Sequence, residues 1–264
     1  MDESAHKKLD FLVIGTQKGG TTSLDRYLRL HPDIIMPIKK ELHFFDSEQN
    51  YRQGEQNYHR FFQTESKVQI KGECTPIYMY WHHAIERIYH YNPKMKLVIA
   101  LRNPMWRAWS HWNMESRRGY EPVCFAEALQ LEAKRLGSCP HYQHRVFSYM
   151  DRGYYARQLK RILLFFPKEQ LFIFRSEDLK KQPKKILDKL FFFLQVSNFS
   201  IDLKYELHQG NYSNLMQRKH FDIILRELKD DISELESLLF WDCSSWYKFD
   251  DCNLQETQPR LVDI

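Results

Sequence analysis

A short apolar segment that leads directly into a glycine-rich loop limits what this chain can fold into more than any other feature. Residues 11–15 read Phe-Leu-Val-Ile-Gly, a continuous apolar run that is typical of a central strand buried on both faces. Residues 21–29 place apolar side chains at helical spacing, and Pro32 marks the end of that helix. The sequence therefore predicts a strand, a glycine loop and a helix. This arrangement surrounds an anion with backbone N–H groups and a helix N-terminus.

The glycine loop differs from that of the nucleoside triphosphatases in the position of its lysine. Their loop reads GxxxxGK[ST], with lysine directly after the second glycine. Here Thr21 follows Gly20, and the lysine is Lys18, inside the loop. Gly19-Gly20 alone would predict only a tight turn, but together with Lys18 and the threonines it predicts a site for an anion. The residues predicted to bind it are Gln17, Lys18, Gly19, Gly20, Thr21, Thr22 and Ser23.

A triphosphate site also needs a carboxylate that holds magnesium. The apolar segment 96–101 is the strand expected to supply it, and that segment ends in Arg102 instead. The loop therefore favours an anion with one singly charged terminal group, bound without a metal.

Strand and helix signals alternate along the rest of the chain. Further strands are predicted at 68–73, 96–102 and 170–175, and helices after the first two of these and at 154–166 and 183–194. Residues 44–63 read as a covering loop with a short helix, and the tail from Gln255 as loose. This order predicts an α/β fold with a P-loop-like central parallel sheet flanked by helices on both faces. We expect a single domain over residues 1–264, with an ordered core at about 9–250.

The charge of the chain is modestly basic, with 39 Lys and Arg against 34 Asp and Glu, a formal net charge of +5. This balance fits a small anionic ligand and does not indicate a nucleic-acid-binding protein. The first ten residues are charged and show no leader, and the chain has no long apolar stretch, so we expect a cytoplasmic protein without a membrane span. The chain has five cysteines, an odd number, and no two of them form a CxxC pair. This pattern favours reduced thiols and no metal site. A bridge between Cys243 and Cys252 is the less favoured alternative.

A second candidate motif is Arg102-Asn-Pro-Met-Trp-Arg-Ala-Trp-Ser110. Arg102 follows a predicted strand, at the edge where parallel sheets bind ligands, and Ser110 lies on the predicted helix that comes next. A guanidinium and a hydroxyl in these places would hold a second phosphate. The motif alone fits equally well a surface arginine followed by a helical serine.

In combination, the two motifs resemble those of the sulfotransferases that use 3′-phosphoadenosine 5′-phosphosulfate (PAPS). Three further segments are similar to the heparan sulfate N- and 3-O-sulfotransferase branch and its bacterial relatives: Lys40-Glu-Leu-His-Phe-Phe-Asp46, Gly72-Glu-Cys-Thr-Pro-Ile-Tyr78 and Gly153-Tyr-Tyr-Ala-Arg-Gln-Leu159. The resemblance covers roughly residues 9–195 and implies PAPS as co-substrate, adenosine 3′,5′-bisphosphate as product and no metal.

The resemblance also implies roles for individual residues. Lys18 would contact the sulfate-bearing bridge, and the glycines and threonines after it would cradle the 5′-phosphate. Arg102 and Ser110 would hold the 3′-phosphate. The acceptor side would be lined by Thr75, Tyr78 and Tyr155, and a loop around Arg218 and Lys219 would close over the nucleotide.

Sulfuryl transfer needs a base that removes the proton of the acceptor. The resemblance favours Glu41 for this role, and His43 is the alternative because the pKa of histidine lies near neutrality. The heparan-type enzymes carry a lysine where this chain has Cys74, which predicts a less charged acceptor. We expect a carbohydrate, lipid or small natural product with an acceptor hydroxyl, less readily an amine.

Two other classes of protein fit parts of this pattern. A P-loop kinase would need ATP and magnesium, against which the position of Lys18 argues. A non-catalytic nucleotide-binding protein would bind the same ligand with Glu41 and His43 turned away from it.

Overall fold

The computed structural model describes residues 8–62, 70–200 and 215–249. Within these residues five strands form one parallel sheet in the order β2-β3-β1-β4-β5. The strands are β1 (Phe11–Gly15), β2 (Ile34–Ile35), β3 (Ile70–Cys74), β4 (Lys96–Leu101) and β5 (Leu171–Arg175). β1 lies in the middle, with Phe11 opposite Gly72 of β3 and opposite Lys96 of β4.

The helices of the described residues lie between and after these strands. They are α1 (Thr21–Leu30), α2 (Glu48–Arg52), α3 (Gly54–His59), α4 (Ala84–Tyr91), α5 (Pro104–Arg117), α6 (Phe125–Gly137), α7 (Tyr155–Leu163), α8 (Ser176–Lys181), α9 (Pro183–Leu194) and α10 (Arg218–Leu239). None of these helices combines the length and the apolar character that crossing a membrane requires.

The chain divides into two compact units, each made of two separate stretches. The first unit is Met1–Arg102 with Leu159–Leu207, and the second is Asn103–Gln158 with His208–Ile264. The sheet, α1 to α4, α8 and α9 belong to the first unit, and α5, α6 and α10 belong to the second. The expectation of one domain over residues 1–264 stays a prediction.

The core of the first unit lies against the sheet. Phe11 and Val13 of β1 pack in one apolar cluster with Leu24 and Leu28 of α1 and with side chains of α9. Because side chains alternate between the faces of a strand, the equally buried Leu12 and Ile14 point to the opposite face. Both faces of the sheet are therefore covered, and the predicted fold class is confirmed.

Most predicted elements are present, with shifted ends. α1 ends at Leu30 and α7 ends at Leu163, and the segment 44–63 contains two short helices instead of one. β3 begins at Ile70 among the described residues, and the predicted start at Val68 lies outside them. Four of the helices and strands described above were not predicted, namely β2, α6, α8 and α10.

Two expectations fall partly or wholly outside the described residues. Cys243 is buried, but Cys252 lies outside the described part of the chain, so the expectation of reduced thiols is not tested there and a bridge between the two stays the less favoured alternative. The tail from Gln255 also lies outside it.

Candidate active site

The glycine loop joins β1 to α1 and is tied to the neighbouring strand. The amide of Thr16 donates to the carbonyl of Ala100 in β4 over 3.0 Å, and the amide of Gly19 donates back to the carbonyl of Thr16 over 2.9 Å. A Cβ atom at Gly19 would lie 2.6 Å from the Ala100 oxygen, so no larger residue fits there. The loop is thus closed tightly against the sheet, as an anion-binding turn requires.

Gly20 connects this loop to the first turn of α1. Its φ of 84° lies in the left-handed region that favours glycine, and it caps α1 without a side-chain hydrogen bond. Thr21 and Thr22 then form the start of the helix, where amides have no carbonyl within the helix to bond. The first turn contains no acidic residue, so the helix N-terminus keeps its attraction for an anion.

Arg102 lies directly after β4 and contacts the glycine loop. Its Nη1 donates to the carbonyl oxygen of Lys18 over 3.1 Å. Lys18 itself has a left-handed backbone, with φ of 71°. The two sequence motifs thus meet at the carboxyl edge of the sheet, through the Arg102 guanidinium and the Lys18 backbone carbonyl.

Asn103 begins α5 in the second unit. Its side-chain oxygen accepts hydrogen bonds from the amides of Met105 and Trp106 over 3.0 and 3.4 Å, and Pro104 occupies the first turn. These are the preferred residues for a helix start. Part of the Arg-Asn-Pro motif therefore serves to form the helix.

Four predicted site residues belong to the second unit. Ser110 lies on α5 and Tyr155 on the first turn of α7, and both are buried. The Tyr155 ring faces Trp246 with 6.2 Å between ring centroids, which is a core contact. Arg218 and Lys219 lie in the first turn of α10, so the prediction of a loop there is wrong. The Arg218 Nε donates to Asp222 one turn later over 2.9 Å.

The candidate base Glu41 lies on a loop fixed to the end of β3. Its amide donates to the carbonyl of Cys74 over 3.2 Å. The carboxylate, 43% exposed, forms an ion pair of 2.5 Å with Lys40, and its second oxygen lies 3.7 Å from Nε2 of His43. Since β3 and β1 are neighbouring parallel strands, this loop and the glycine loop lie at the same edge of the sheet.

His43 is held from its other side by Asp46. The Nδ1 atom lies 3.0 and 3.2 Å from the two carboxylate oxygens of Asp46, whose side chain is fully buried. A carboxylate in this place keeps the proton on Nδ1 and leaves Nε2 facing Glu41. Asp46 was not given a role from the sequence, although its position three residues after His43 is the available signal.

Thr75 and Tyr78, predicted to contact the acceptor, are fully buried. Both hydroxyls donate to the carboxylate of Glu73, Tyr78 over 3.1 Å, and the Tyr78 hydroxyl also accepts the amide of Phe44 over 2.9 Å. Because both side chains are enclosed, the prediction that they face the acceptor is corrected here: they face Glu73.

The inference drawn from Cys74 also needs correction. Its thiol is fully buried in the core and lies 3.6 Å from the carbonyl of Thr21, so it does not face an exposed cleft. Burial raises the pKa of the thiol far above its ordinary range. Lys40 meanwhile places an ammonium group beside Glu41, so a cation is present next to the candidate base.

The parallel sheet, the glycine loop and the strand-end arginine define an α/β protein of the P-loop-like fold. The chain belongs to the sulfotransferase family, because its residues 8–223 match the model of the sulfotransferase domain.

Curated relatives agree with the branch indicated by the motifs. The bifunctional heparan sulfate N-deacetylase/N-sulfotransferase 3 of Mus musculus is 32% identical over 265 residues, which cover 95% of this chain and 30% of that protein. The heparan sulfate glucosamine 3-O-sulfotransferase 5 of Mus musculus is 30% identical over 175 residues, covering 65% of this chain and 49% of that protein. The chain thus spans less than half the length of these two relatives.

Solved structures give the same fold. A sulfotransferase from Alicyclobacillus acidocaldarius superposes with a TM-score of 0.78 at 29% identity, covering 92% of this chain and 100% of that one. The sulfotransferase STF9 from Mycobacterium avium has a TM-score of 0.53 at 11% identity, covering 88% and 76%, and shows the fold alone. The predicted family resemblance is confirmed.

Proposed function

We propose that this sulfotransferase moves the sulfuryl group of PAPS to a hydroxyl or amine of a carbohydrate acceptor. The observation that carries the proposal is that Lys18, Arg102 and Glu41 lie at one edge of the sheet. Lys18 and Arg102 follow β1 and β4, and the loop of Glu41 is hydrogen-bonded to the end of β3. The names of the heparan sulfate relatives support a carbohydrate acceptor.

The residues of the glycine loop fit a phosphosulfate group. Gly19 and Gly20 leave room for the backbone to approach an anion, and Thr21 and Thr22 offer amides and hydroxyls at the start of α1. We assign the 5′-phosphosulfate to this loop and the 3′-phosphate to Arg102. When bound, PAPS supplies an activated sulfuryl group, and adenosine 3′,5′-bisphosphate is the product.

Residues of the first unit accept the proton and stabilise the developing charge. Glu41 accepts the proton that the acceptor loses as its oxygen or nitrogen bonds to sulfur. Lys18 stabilises the negative charge that develops on the 5′-phosphate oxygen as the bond from that oxygen to sulfur breaks. His43, oriented by Asp46, is the alternative proton acceptor, because its Nε2 faces the same place.

Transfer of labelled sulfate tests this proposal. The chain is incubated with ³⁵S-labelled PAPS and either N-acetylated heparosan, which offers hydroxyls, or its N-deacetylated form, which also offers amines. We expect label in at least one polysaccharide, and label in the N-deacetylated form alone would identify an amine acceptor. Lys18→Ala serves as the inactive control.

Two results would contradict the proposal. One is the absence of label from both polysaccharides together with no formation of adenosine 3′,5′-bisphosphate. The other is equal labelling by the wild-type chain and Lys18→Ala.

A further inference from the structure

Glu73 is a fully buried carboxylate next to the last residue of β3. Its Oε1 accepts the amide of Leu42 over 3.2 Å and the Tyr78 hydroxyl over 3.1 Å, and it also accepts the Thr75 hydroxyl. Its Oε2 accepts the hydroxyls of Tyr58 over 2.5 Å and of Tyr78 over 3.2 Å. A buried carboxylate is tolerated only with such partners, and this one has four donors.

The protons of this cluster stay on the tyrosines. Burial, and then the nearby Glu73, raise the pKa of Tyr58 and of Tyr78 well above the ordinary value. Burial also raises the pKa of Glu73, while the hydrogen bonds from Thr75, Tyr58, Tyr78 and Leu42 act in the opposite direction. The tyrosine hydroxyls therefore donate, and the carboxylate accepts.

The loop above this cluster has an unfavourable backbone. Glu41 and His43 both adopt the left-handed region, with φ of 61° and 53°. Non-glycine residues keep such torsions only where their surroundings hold them. Two amides flank His43, one on each side: that of Leu42 donates to Glu73, and that of Phe44 donates to the Tyr78 hydroxyl. Since Tyr78 in turn donates to Glu73, both restraints end on the same carboxylate.

We propose that Glu73 is a positioning residue that holds the loop of Glu41 and His43 in the conformation needed for proton removal. It acts through the amide of Leu42 and through Tyr78, and it touches neither donor nor acceptor. The inference rests on the proposed function, because positioning matters only if one of the two loop residues is the base.

Two tyrosines allow a matched test. Tyr78→Phe and Tyr58→Phe each remove one hydroxyl from Glu73, but only Tyr78 also binds an amide of the loop. Glu73→Gln keeps the side-chain volume and one oxygen, but its amide cannot accept all four donors. Glu132→Gln is the control, because Glu132 is a buried carboxylate on α6 that accepts two backbone amides outside the candidate site.

Hydrogen exchange and turnover are measured on the four folded variants. Exchange of the Phe44 amide should accelerate in both Glu73→Gln and Tyr78→Phe, and exchange of the Leu42 amide should accelerate in Glu73→Gln. Both amides should exchange at the wild-type rate in Tyr58→Phe and Glu132→Gln. Turnover of labelled PAPS on N-deacetylated heparosan should fall roughly 100-fold in the first two, the cost of a small misplacement of a catalytic group. Affinity for adenosine 3′,5′-bisphosphate should stay unchanged, which a general loss of structure would not allow.

Different results overturn different claims. Wild-type protection of both amides, or wild-type turnover, in Glu73→Gln and Tyr78→Phe would overturn the positioning role. If the wild-type chain has no transferase activity but its variants still lose amide protection, the proposed function is overturned and the anchoring of the loop is supported. If Glu73→Gln does not fold, Tyr78→Phe tests the part of the restraint that passes through Tyr78, with Tyr58→Phe as its control.

Discussion

Three residues of the candidate site, Lys18, Glu41 and His43, have left-handed backbones, with φ between 53° and 71°. Each such torsion costs of order 1–3 kcal/mol for a non-glycine residue. Contacts with neighbouring strands hold these torsions in place: the Lys18 carbonyl accepts Arg102, and the Glu41 amide bonds to Cys74. The backbone of the candidate site is therefore held by hydrogen bonds to residues at the ends of strands.

Single substitutions should show which of the two candidate bases removes the proton. If Glu41 accepts the proton, Glu41→Gln should lower kcat by about 10²–10⁴-fold, the usual contribution of a general base. His43→Gln should have the smaller effect, because its loss leaves the carboxylate in place. Steady-state kinetics with labelled PAPS measures both values.

Affinity for adenosine 3′,5′-bisphosphate is the control for both variants and should match the wild-type affinity. A larger loss of kcat in His43→Gln than in Glu41→Gln would assign the proton to His43 and contradict the preference for Glu41.

Helix α6 carries Glu132, whose carboxylate accepts the amides of Met150 and Asp151, each over 2.8 Å. These two bonds tie α6 to the short turn at Asp151–Gly153 within the second unit. Burial raises the pKa of Glu132 from 4.5 to about 7, although both amides favour the charged form. Helix α6 is therefore joined to this turn by a carboxyl group whose pKa lies near neutral pH.

The raised pKa of Glu132 predicts a pH-dependent stability. The folded state binds the proton of the Glu132 carboxyl group more tightly than the unfolded chain does. The stability that this group contributes is therefore complete below about pH 4.5 and declines as the pH rises to about 7. The free energy of unfolding should fall by about 3 kcal/mol across this window, at 1.36 kcal/mol per pKa unit. Urea unfolding from pH 5 to pH 8 measures it.

Glu132→Gln should remove this decline, whereas Glu127→Gln, which changes an exposed carboxylate of the same helix, should preserve it. Identical pH dependence in the wild-type chain and in Glu132→Gln would contradict the assignment.

For the whole molecule, ligand binding is the observable that reports on donor recognition. A ligand that binds only the folded state stabilises it by about 2.7 kcal/mol at one hundred times its Kd. We expect adenosine 3′,5′-bisphosphate to raise Tm by roughly 5–10 °C at that concentration. Adenosine 5′-monophosphate, which lacks the 3′-phosphate, should raise it less, and Arg102→Ala should reduce the difference between the two ligands.

Thermal unfolding with ATP and magnesium is the opposing measurement. A larger rise of Tm with ATP and magnesium than with adenosine 3′,5′-bisphosphate would indicate a kinase-type site and contradict the assignment of the donor.

Local patterns in the sequence were sufficient to predict the fold class and the anion-binding loop. The apolar run, the glycines and the helical spacing that follow one another from residue 11 are patterns among neighbouring residues. The sequence could therefore locate β1, the loop and α1 to within one residue. Arg102, Glu41 and His43 could be named because each stands in a short motif. Their roles in the reaction remain proposals.

Only the tertiary structure decided which of the named side chains face one another. Thr75 and Tyr78 contact Glu73, Cys74 lies in the core, and Arg218 begins a helix. Tyr58 reaches Glu73 from 15 residues away, and the amide of Leu42 from 31. The sequence by itself determined the strand, the loop and the candidate chemistry. The direction of each side chain depends on packing between distant segments, which no local pattern contains.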